Sequence, residues 1–317
     1  MSNLDATPGV TLRHAEADDH AAVSVFESRA VPLGGLRAMQ VDRVMPQRGL
    51  PTVGAWCFLD SFGPHDTAAM QVLPHPHMGL QTVTWPLAGE IRHRDSVGSD
   101  VVVRPGQLNL MTAGRGVAHS EFSVSEGVLH GLQLWVALPA DRVDMAPAFE
   151  QRTSLPTFEA PGVSGSVLVG TLGGVTSPAT VHTPLVGADL TVTETATVPL
   201  AADHEHAVLV VSGTPTVAGV PVTRGQLVYL GTGRATVSVD VPTDGPAHIM
   251  LLGGEPFPDE LVMWWNFVGR THEEIAAART DWQAASTRFG EVTGHNGARI
   301  PAPDLPGIRL KPRTRHP

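Results

Sequence analysis

The sequence predicts an all-β protein: two antiparallel, jelly-roll-like barrels packed together and followed by a C-terminal helix. Three observations carry this. Of 317 residues, 33 are Gly and 27 are Pro, and they lie between Val-, Thr- and Leu-rich runs, as turns lie between many short strands. A strand–hairpin–strand pattern occurs twice. Helical periodicity is convincing only once, near the C-terminus.

Residues 1–23 are polar and irregular and are read as an N-terminal arm. Residues 24–138 form the first barrel, with strands in GAWCFLD (54–60), GLQTVTWPLAG (79–89), EIRHRD (90–95), VVVRPGQLNLM (101–111) and HGLQLWVAL (130–138). The proline-punctuated segment 139–161 is read as a linker. Residues 162–254 repeat the strand-and-turn pattern as a second barrel. In the first half a strand ends at Gly89 and a G-Q-L strand opens at Gly106; in the second the same events fall at Gly213 and Gly225. We read this as a diverged duplication. Residues 255–317 hold the strand LVMWWNFVG, the helix and a proline-rich tail. Thr271 and Glu274 form a capping box, and Ile275, Ala278, Trp282 and Ala285 recur at helical spacing in a run to about Phe289.

A formal charge of −10, from 21 Lys+Arg and 31 Asp+Glu, argues against direct binding to nucleic acid or an anionic membrane, both polyanions. It leaves room for a protein partner that itself contacts DNA. The first thirty residues lack the apolar stretch of a secretory signal, and no run is long enough to span a bilayer. The expected location is cytoplasmic. The one cysteine, Cys57, excludes an intramolecular disulfide and a Cys-rich zinc ribbon; inside W-C-F-L it is read as a buried, inert thiol. Any bound metal must therefore draw on the 15 His and on carboxylates.

Two H-x-H pairs occur. His75-Pro-His77 precedes a strand whose alternation would set His75, His77, Gln81, Val83 and Trp85 on one face. His119-Ser-Glu121 follows the glycine-rich turn T-A-G-R-G and again offers two ligands at i, i+2. Two such pairs on separate strands can converge inside a small barrel, and three imidazoles with one carboxylate suit a divalent first-row metal. The second pair, His204-Glu-His206, has no later His or Glu to complete it. It is read as an exposed strand start, and no metal is expected in the second half. His93 falls in phase with Ile91, facing inward, which fits either a wall of the metal pocket or a satisfied core histidine.

H-P-H-M-G-L-Q-T-V-T-W, G-E-I-R-H-R-D-S-V-G-S and R-P-G-Q-L-N-L-M-T-A-G-R-G-V-A-H-S-E together resemble the pirin family of the cupin superfamily. V-P-L-G-G (31–35), F-L-D-S-F-G-P (58–64) and W-W-N-F-V (264–268) also fit. The resemblance implies two cupin barrels with Fe(II) in the first, held by His75, His77, His119 and Glu121, the four residues that spacing selects. Zinc, nickel, copper or manganese could occupy such a site as well. Met78 and Gln81 stand where many pirins have Arg and Glu. Gln81 shares the proposed ligand face and could contact a ligand; for Met78, packing and a substrate contact both stay open.

The family implies quercetin 2,3-dioxygenase-type chemistry, oxygenolytic opening of a flavonol ring with release of carbon monoxide. Glu121 would then be both ligand and proton acceptor, and Phe58, Met78, Trp85 and Met111 are candidate walls for a flat aromatic substrate. The alternative that the family implies is a non-enzymatic, redox-sensitive regulator that binds a transcription factor or a metabolic enzyme. The same four ligands serve both.

Overall fold

The computed structural model describes residues 23–33, 39–47, 49–65, 70–124, 127–242 and 245–311; the expected arm, apart from Val23, lies outside them. Among these residues the chain forms 25 strands and one helix. Strand β1 (Ser24–Phe26) precedes a seven-stranded antiparallel sheet built from β2 (Arg29–Leu33), β3 (Met39–Met45), β4 (Trp56–His65), β6 (Leu80–Ala88), β9 (Leu108–Thr112), β11 (Leu129–Ala137) and β12 (Ala148–Arg152). Its order is β12-β9-β6-β11-β4-β3-β2. A smaller sheet, in the order β5-β10-β7-β8, faces it, with β5 (Gln71–His77), β7 (Ile91–Asp95), β8 (Asp100–Val103) and β10 (Val117–Ser123). Strands β6 and β11 are buried on both faces, which is why they read as continuous apolar and Thr-rich runs. Strand β7 alternates between buried and half-buried positions and covers the outside.

The second half repeats this plan. Its large sheet contains β13 (Thr157–Ala160), β14 (Val163–Leu172), β16 (Leu185–Val192), β18 (Glu205–Ser212), β21 (Leu227–Gly231) and β23 (Ala247–Gly254) in the order β1-β21-β18-β23-β16-β14-β13, with β15 (Val175–Thr176) paired to β14. The small sheet runs β17-β22-β19-β20, from β17 (Ala196–Pro199), β19 (Thr216–Val217), β20 (Val220–Pro221) and β22 (Thr236–Asp240). The G-Q-L echo has a structural cause. Gly106 and Gly225 both hold left-handed backbone, at φ +80° and +85°. The glutamine that follows closes the turn with its carboxamide: Gln107 Oε1 accepts from Arg104 N, and Gln226 Oε1 accepts from Thr223 N.

Two expectations need correction. The presumed linker 139–161 contains two strands, β12 on the edge of the first large sheet and β13 on the edge of the second. Residue 24 does not open the first sheet, because β1 pairs with β21 of the second half. It occupies there the position that β12 holds in the first, so each half takes its edge strand from chain outside its own core. Short edge strands carry too few residues to show a period, and backbone pairing at an open edge decides where they go.

The large sheets pack face to face over an apolar seam that joins Trp56, Leu59 and Leu134 to Leu168, Leu209 and Leu252. Trp56 Nε1 donates to Val186 O and Gly253 O across it. Glu205 is buried there; its Oε2 accepts from Gly54 N at 2.7 Å and its Oε1 from Tyr229 OH at 3.1 Å. Gly54 sits at φ +52°, where a Cβ would lie 2.6 Å from Gly254 Cα. The expected strand LVMWWNFVG is a hairpin, β24 (Val262–Trp264) and β25 (Phe267–Gly269), turned by Trp265 at φ +53°. Helix α1 (His272–Gln283) is capped by Thr271, whose side chain accepts from Glu274 N, while Glu274 Oε2 accepts from Arg270 N. It stops short of Phe289 because Ala285 takes left-handed backbone. Ile275, Ala278 and Trp282 are buried against Trp264, Phe267 and Phe289.

His206 is not an exposed strand start. It is 1% exposed within the central strand β18, and burial, then the neighbouring His204, lowers its pKa to about 4.

Two outcomes follow for stability. Glu205→Ala leaves the buried Gly54 N–H and the half-buried Tyr229 hydroxyl without their acceptor and should lower the unfolding free energy by about 2–4 kcal/mol in denaturant titration. His206 binds protons less readily folded than unfolded, so its contribution is intact above about pH 6.5 and fades as the pH falls toward 4. The loss should reach about 2 kcal/mol near pH 5. A His206→Gln variant should show a correspondingly flatter stability profile between about pH 7.5 and 5; an unchanged slope would refute the assignment.

Candidate metal centre

Strand β10 lies between β5 and β7 in the small sheet. Its register sets His119 opposite His75 on one side and Asp95 on the other, and Glu121 opposite His93. A register shift between His119 and Glu121 on the β5 side marks a bulge. The turn that delivers β10 needs its glycines: at Gly114, φ +51°, a Cβ would meet Met145 O at 2.1 Å. His75, His77, His119 and Glu121 are all fully buried.

Ligand atoms of His75, His77 and His119 lie within 4.8 Å of one another, and so do those of His93, His119 and Glu121. His77 Nε2 and His119 Nε2 face each other at 3.1 Å. His75 Nδ1 donates to Leu73 O at 2.8 Å, which leaves its buried Nε2 without a partner. Burial keeps these rings neutral: His75 is lowered to about 3, and His77 and His119 go well below the usual value, helped by the neighbouring imidazoles. A neutral imidazole with one nitrogen fixed by a carbonyl directs its other lone pair as a metal ligand does. The unpartnered His75 nitrogen and two opposed Nε2 atoms therefore fit a divalent cation between them, and Glu121 adds a hard oxygen donor.

Several side chains hold this group in place. His93 Nδ1 is 3.3 Å from His119 Nδ1, and His93 Nε2 is 3.0 Å from Asp95 Oδ2. Asp95 Oδ1 accepts from the backbone of Val97 and Ser99. Burial opposes ionisation of Asp95, but the bonds from His93 and Ser99 prevail and hold its pKa below the ordinary value. His93 is thus both a satisfied buried histidine and a neighbour of the centre. From the large sheet, Thr84 Oγ1 lies 3.1 Å from Glu121 Oε1 and from Gln133 Oε1. Phe58 stacks on Trp135 at 4.0 Å, and the edge of Trp135 meets His77 at 5.1 Å. Arg43 covers Phe58 and is clamped to Asp60 through two 2.8 Å bonds. Phe149 stacks on His93 at 4.6 Å, and its strand partner is Met111.

Gln81, Trp85 and Met78 do not join them. Gln81 Nε2 donates to Thr112 Oγ1 and to Thr180 O of the second half, and Trp85 Nε1 donates to Asp189 Oδ2 there. Gly79, at φ +71°, turns the chain from the small sheet into the large one. The alternation that begins at His75 does not run through that turn, and the centre-facing residues of β6 are Thr82 and Thr84. Met78 packs in the C-terminal cluster; its carbonyl accepts from Val268 N and its sulfur from Arg288 Nη2. Sequence reading missed Thr84, Asp95, Gln133, Trp135 and Phe149. Strand parity within LQTVTW and LQLW could have selected Thr84, Gln133 and Trp135, whereas Phe149 fell in the presumed linker. His204 lies with Asp203 and Glu255 toward the surface, its ring 6.0 Å from that of the buried His206.

Two family models match in order, "Pirin" over residues 38–136 and "Pirin C-terminal cupin domain" over 185–290. A Pseudomonas aeruginosa protein named "Putative quercetin 2,3-dioxygenase" is 43% identical over 285 residues, covering 88% of this chain and 89% of its own. A solved quercetin 2,3-dioxygenase from Acinetobacter baumannii superposes with a TM-score of 0.86 at 40% identity, over 91% of this chain and 97% of its own. A bacterial pirin from Escherichia coli, solved with nickel(II), shares the fold at a TM-score of 0.57 and 19% identity, over 74% of this chain and 100% of its own. The repeated two-sheet plan is accordingly a pair of cupin-like domains, and the chain belongs to the pirin family.

Proposed function

We propose that the protein is a metal-dependent dioxygenase for flavonol-like substrates, with His75, His77, His119 and Glu121 holding Fe(II). The observation that carries the reading is the convergence of three neutral imidazoles and one carboxylate, all fully buried, beside flat aromatic side chains. Its similarity to a protein named as a quercetin dioxygenase supports the substrate class. Divalent iron at these residues supplies Lewis acidity toward an ionised enol oxygen and an electronic path to O₂.

The chain's own residues do the rest. Glu121 accepts the proton of the substrate's enolic hydroxyl, oriented by Thr84. The Asp95–His93 pair fixes the ring of His119. Phe58, Met111, Trp135 and Phe149 form the flat walls, with Phe58 held by Arg43. Trp135 Nε1 and Asn109 Nδ2, both buried and unpartnered, are donors suited to the oxygens of a polyhydroxylated ligand. Both atoms of O₂ end in the products, the ring carbons are oxidised, and one leaves as carbon monoxide.

Protein loaded anaerobically with Fe(II) should retain about one ion per chain, measured by elemental analysis after desalting, and His119→Ala should lose most of it. Unchanged metal content in that variant would refute the four-residue centre. On admission of O₂ the loaded protein should bleach flavonol absorbance and release equimolar carbon monoxide. Glu121→Gln should slow this by about a hundredfold or more. Full iron occupancy with no turnover of any flavonol would overturn the substrate assignment.

A further inference from the structure

On the far side of β6 from the metal centre, a cleft of about 610 Å³ opens at one end of the seam. Most of the seam is apolar, but here the face of the second large sheet turns polar. Thr191 pairs with His248, His248 with Ser212, and Asp189 with its partner Ser166, so all five project from the same face. Across from them stand Trp85, Pro86 and Leu87 at the end of β6, with His130 beside them.

The polar groups are not equally engaged. Both oxygens of Asp189 are occupied, Oδ2 by Trp85 Nε1 and Oδ1 by His248 Nε2. The one carboxylate in the lining is therefore already hydrogen-bonded through both oxygens and turned toward Trp85 and His248. Arg224 reaches across the seam and uses Nη2 to donate to Gly63 O. Its remaining N–H groups have no hydrogen-bond partner among the described residues, and neither do the hydroxyls of Ser166, Thr191 and Ser212. A guanidinium with open donors, three free hydroxyls and a wall of proline, leucine and tryptophan are complementary to a particular ligand. It needs an anionic group for Arg224, a flat apolar body for the wall and hydroxyls of its own for the opposite side. Burial, then the nearby Arg224, lowers the pKa of His130 to about 4, so this ring stays neutral beside the guanidinium. Arg224 is thus the one guanidinium or ammonium group in the lining, on a chain whose net charge is −10.

We propose that this seam cleft is a second ligand site, separate from the metal centre, that binds a small hydroxylated aromatic carboxylate. Arg224 takes the carboxylate, the Trp85–Leu87 wall takes the ring, and Ser212 and Thr191 take the hydroxyl. The volume is ample for one such molecule. The site exists only where the two halves meet, because neither half supplies both the cation and the apolar wall.

The test is calorimetric titration of the full chain with 4-hydroxybenzoate, its methyl ester and inorganic phosphate. We expect saturable binding of 4-hydroxybenzoate, at least tenfold weaker binding of the uncharged ester, and weaker binding of phosphate, which has no apolar body. Arg224→Gln should weaken 4-hydroxybenzoate tenfold or more, Arg224→Lys should retain part of the affinity, and Ser212→Val should weaken it less than Arg224→Gln. His119→Ala, which disables the metal centre, should leave the affinity unchanged. Absence of saturable binding, equal affinity for the ester, or indifference to Arg224→Gln in a variant that still unfolds cooperatively would overturn the proposal. Loss of binding in His119→Ala would place the ligand at the metal centre and overturn it as well.

Discussion

Everything in the first half is arranged around the cost of burying ionisable groups. The four side chains of the candidate metal centre are removed completely from water, and an isolated buried charge would cost far more than a domain's whole stability margin. The structure meets this in two ways. The imidazoles are kept neutral, and the charged and hydroxyl groups around them are paired: Arg43 with Asp60, His93 with Asp95, and Thr84 with Glu121 and Gln133. Such a network rigidifies the site while it stays complete, since a half-satisfied interior is worse than an apolar one.

An interior of that kind adds little hydrophobic stabilisation, and the second half explains how the fold tolerates it. Positions that correspond under the repeated sheet order have opposite chemistry. Where the first half faces its small sheet with Thr82 and Thr84 on β6 and with Asn109 on β9, the second has Val208 and Val210 on β18 and Val228 on β21. The second interior is a closed cluster of Val, Leu, Ile, Ala and Phe, worth roughly 25 cal/mol for each Å² removed from water. The seam ties the two together through Trp56, Glu205 and an apolar layer drawn from both. One domain holds the candidate metal centre; its counterpart is an apolar platform for it.

Much of this is legible in the sequence. Gly and Pro punctuation, the repeated G-Q-L turn and the Thr271 cap predict the strand-rich halves and the helix. The i, i+2 pairs His75/His77 and His119/Glu121 are legible because strand alternation is local. What is not legible depends on pairing between distant segments. Nothing in Ser24–Phe26 says that it will pair with residues 227–229, and Ala148–Arg152 looks like linker until β9 offers an open edge. Gln81 falls on the opposite face from the one that alternation predicts, because the left-handed Gly79 after Met78 moves the chain to another sheet. The surroundings of Met78 are not legible locally, because its neighbours come from near the C-terminus.

The corrected parity of β6 has a consequence for how the molecule is organised. Thr84 faces Glu121, and Trp85, the next residue, faces Asp189 and the seam cleft. A central strand paired on both edges cannot move one residue to the other face without exchanging all of them, because its backbone register is held by β9 and β11. The polar contents of the two faces are therefore set by one rigid element but kept apart by the thickness of the sheet. This accounts for the outward turn of Gln81 and Trp85 without weakening the centre: their carboxamide and indole N–H groups serve the join between the domains, and the neighbouring threonines serve the interior.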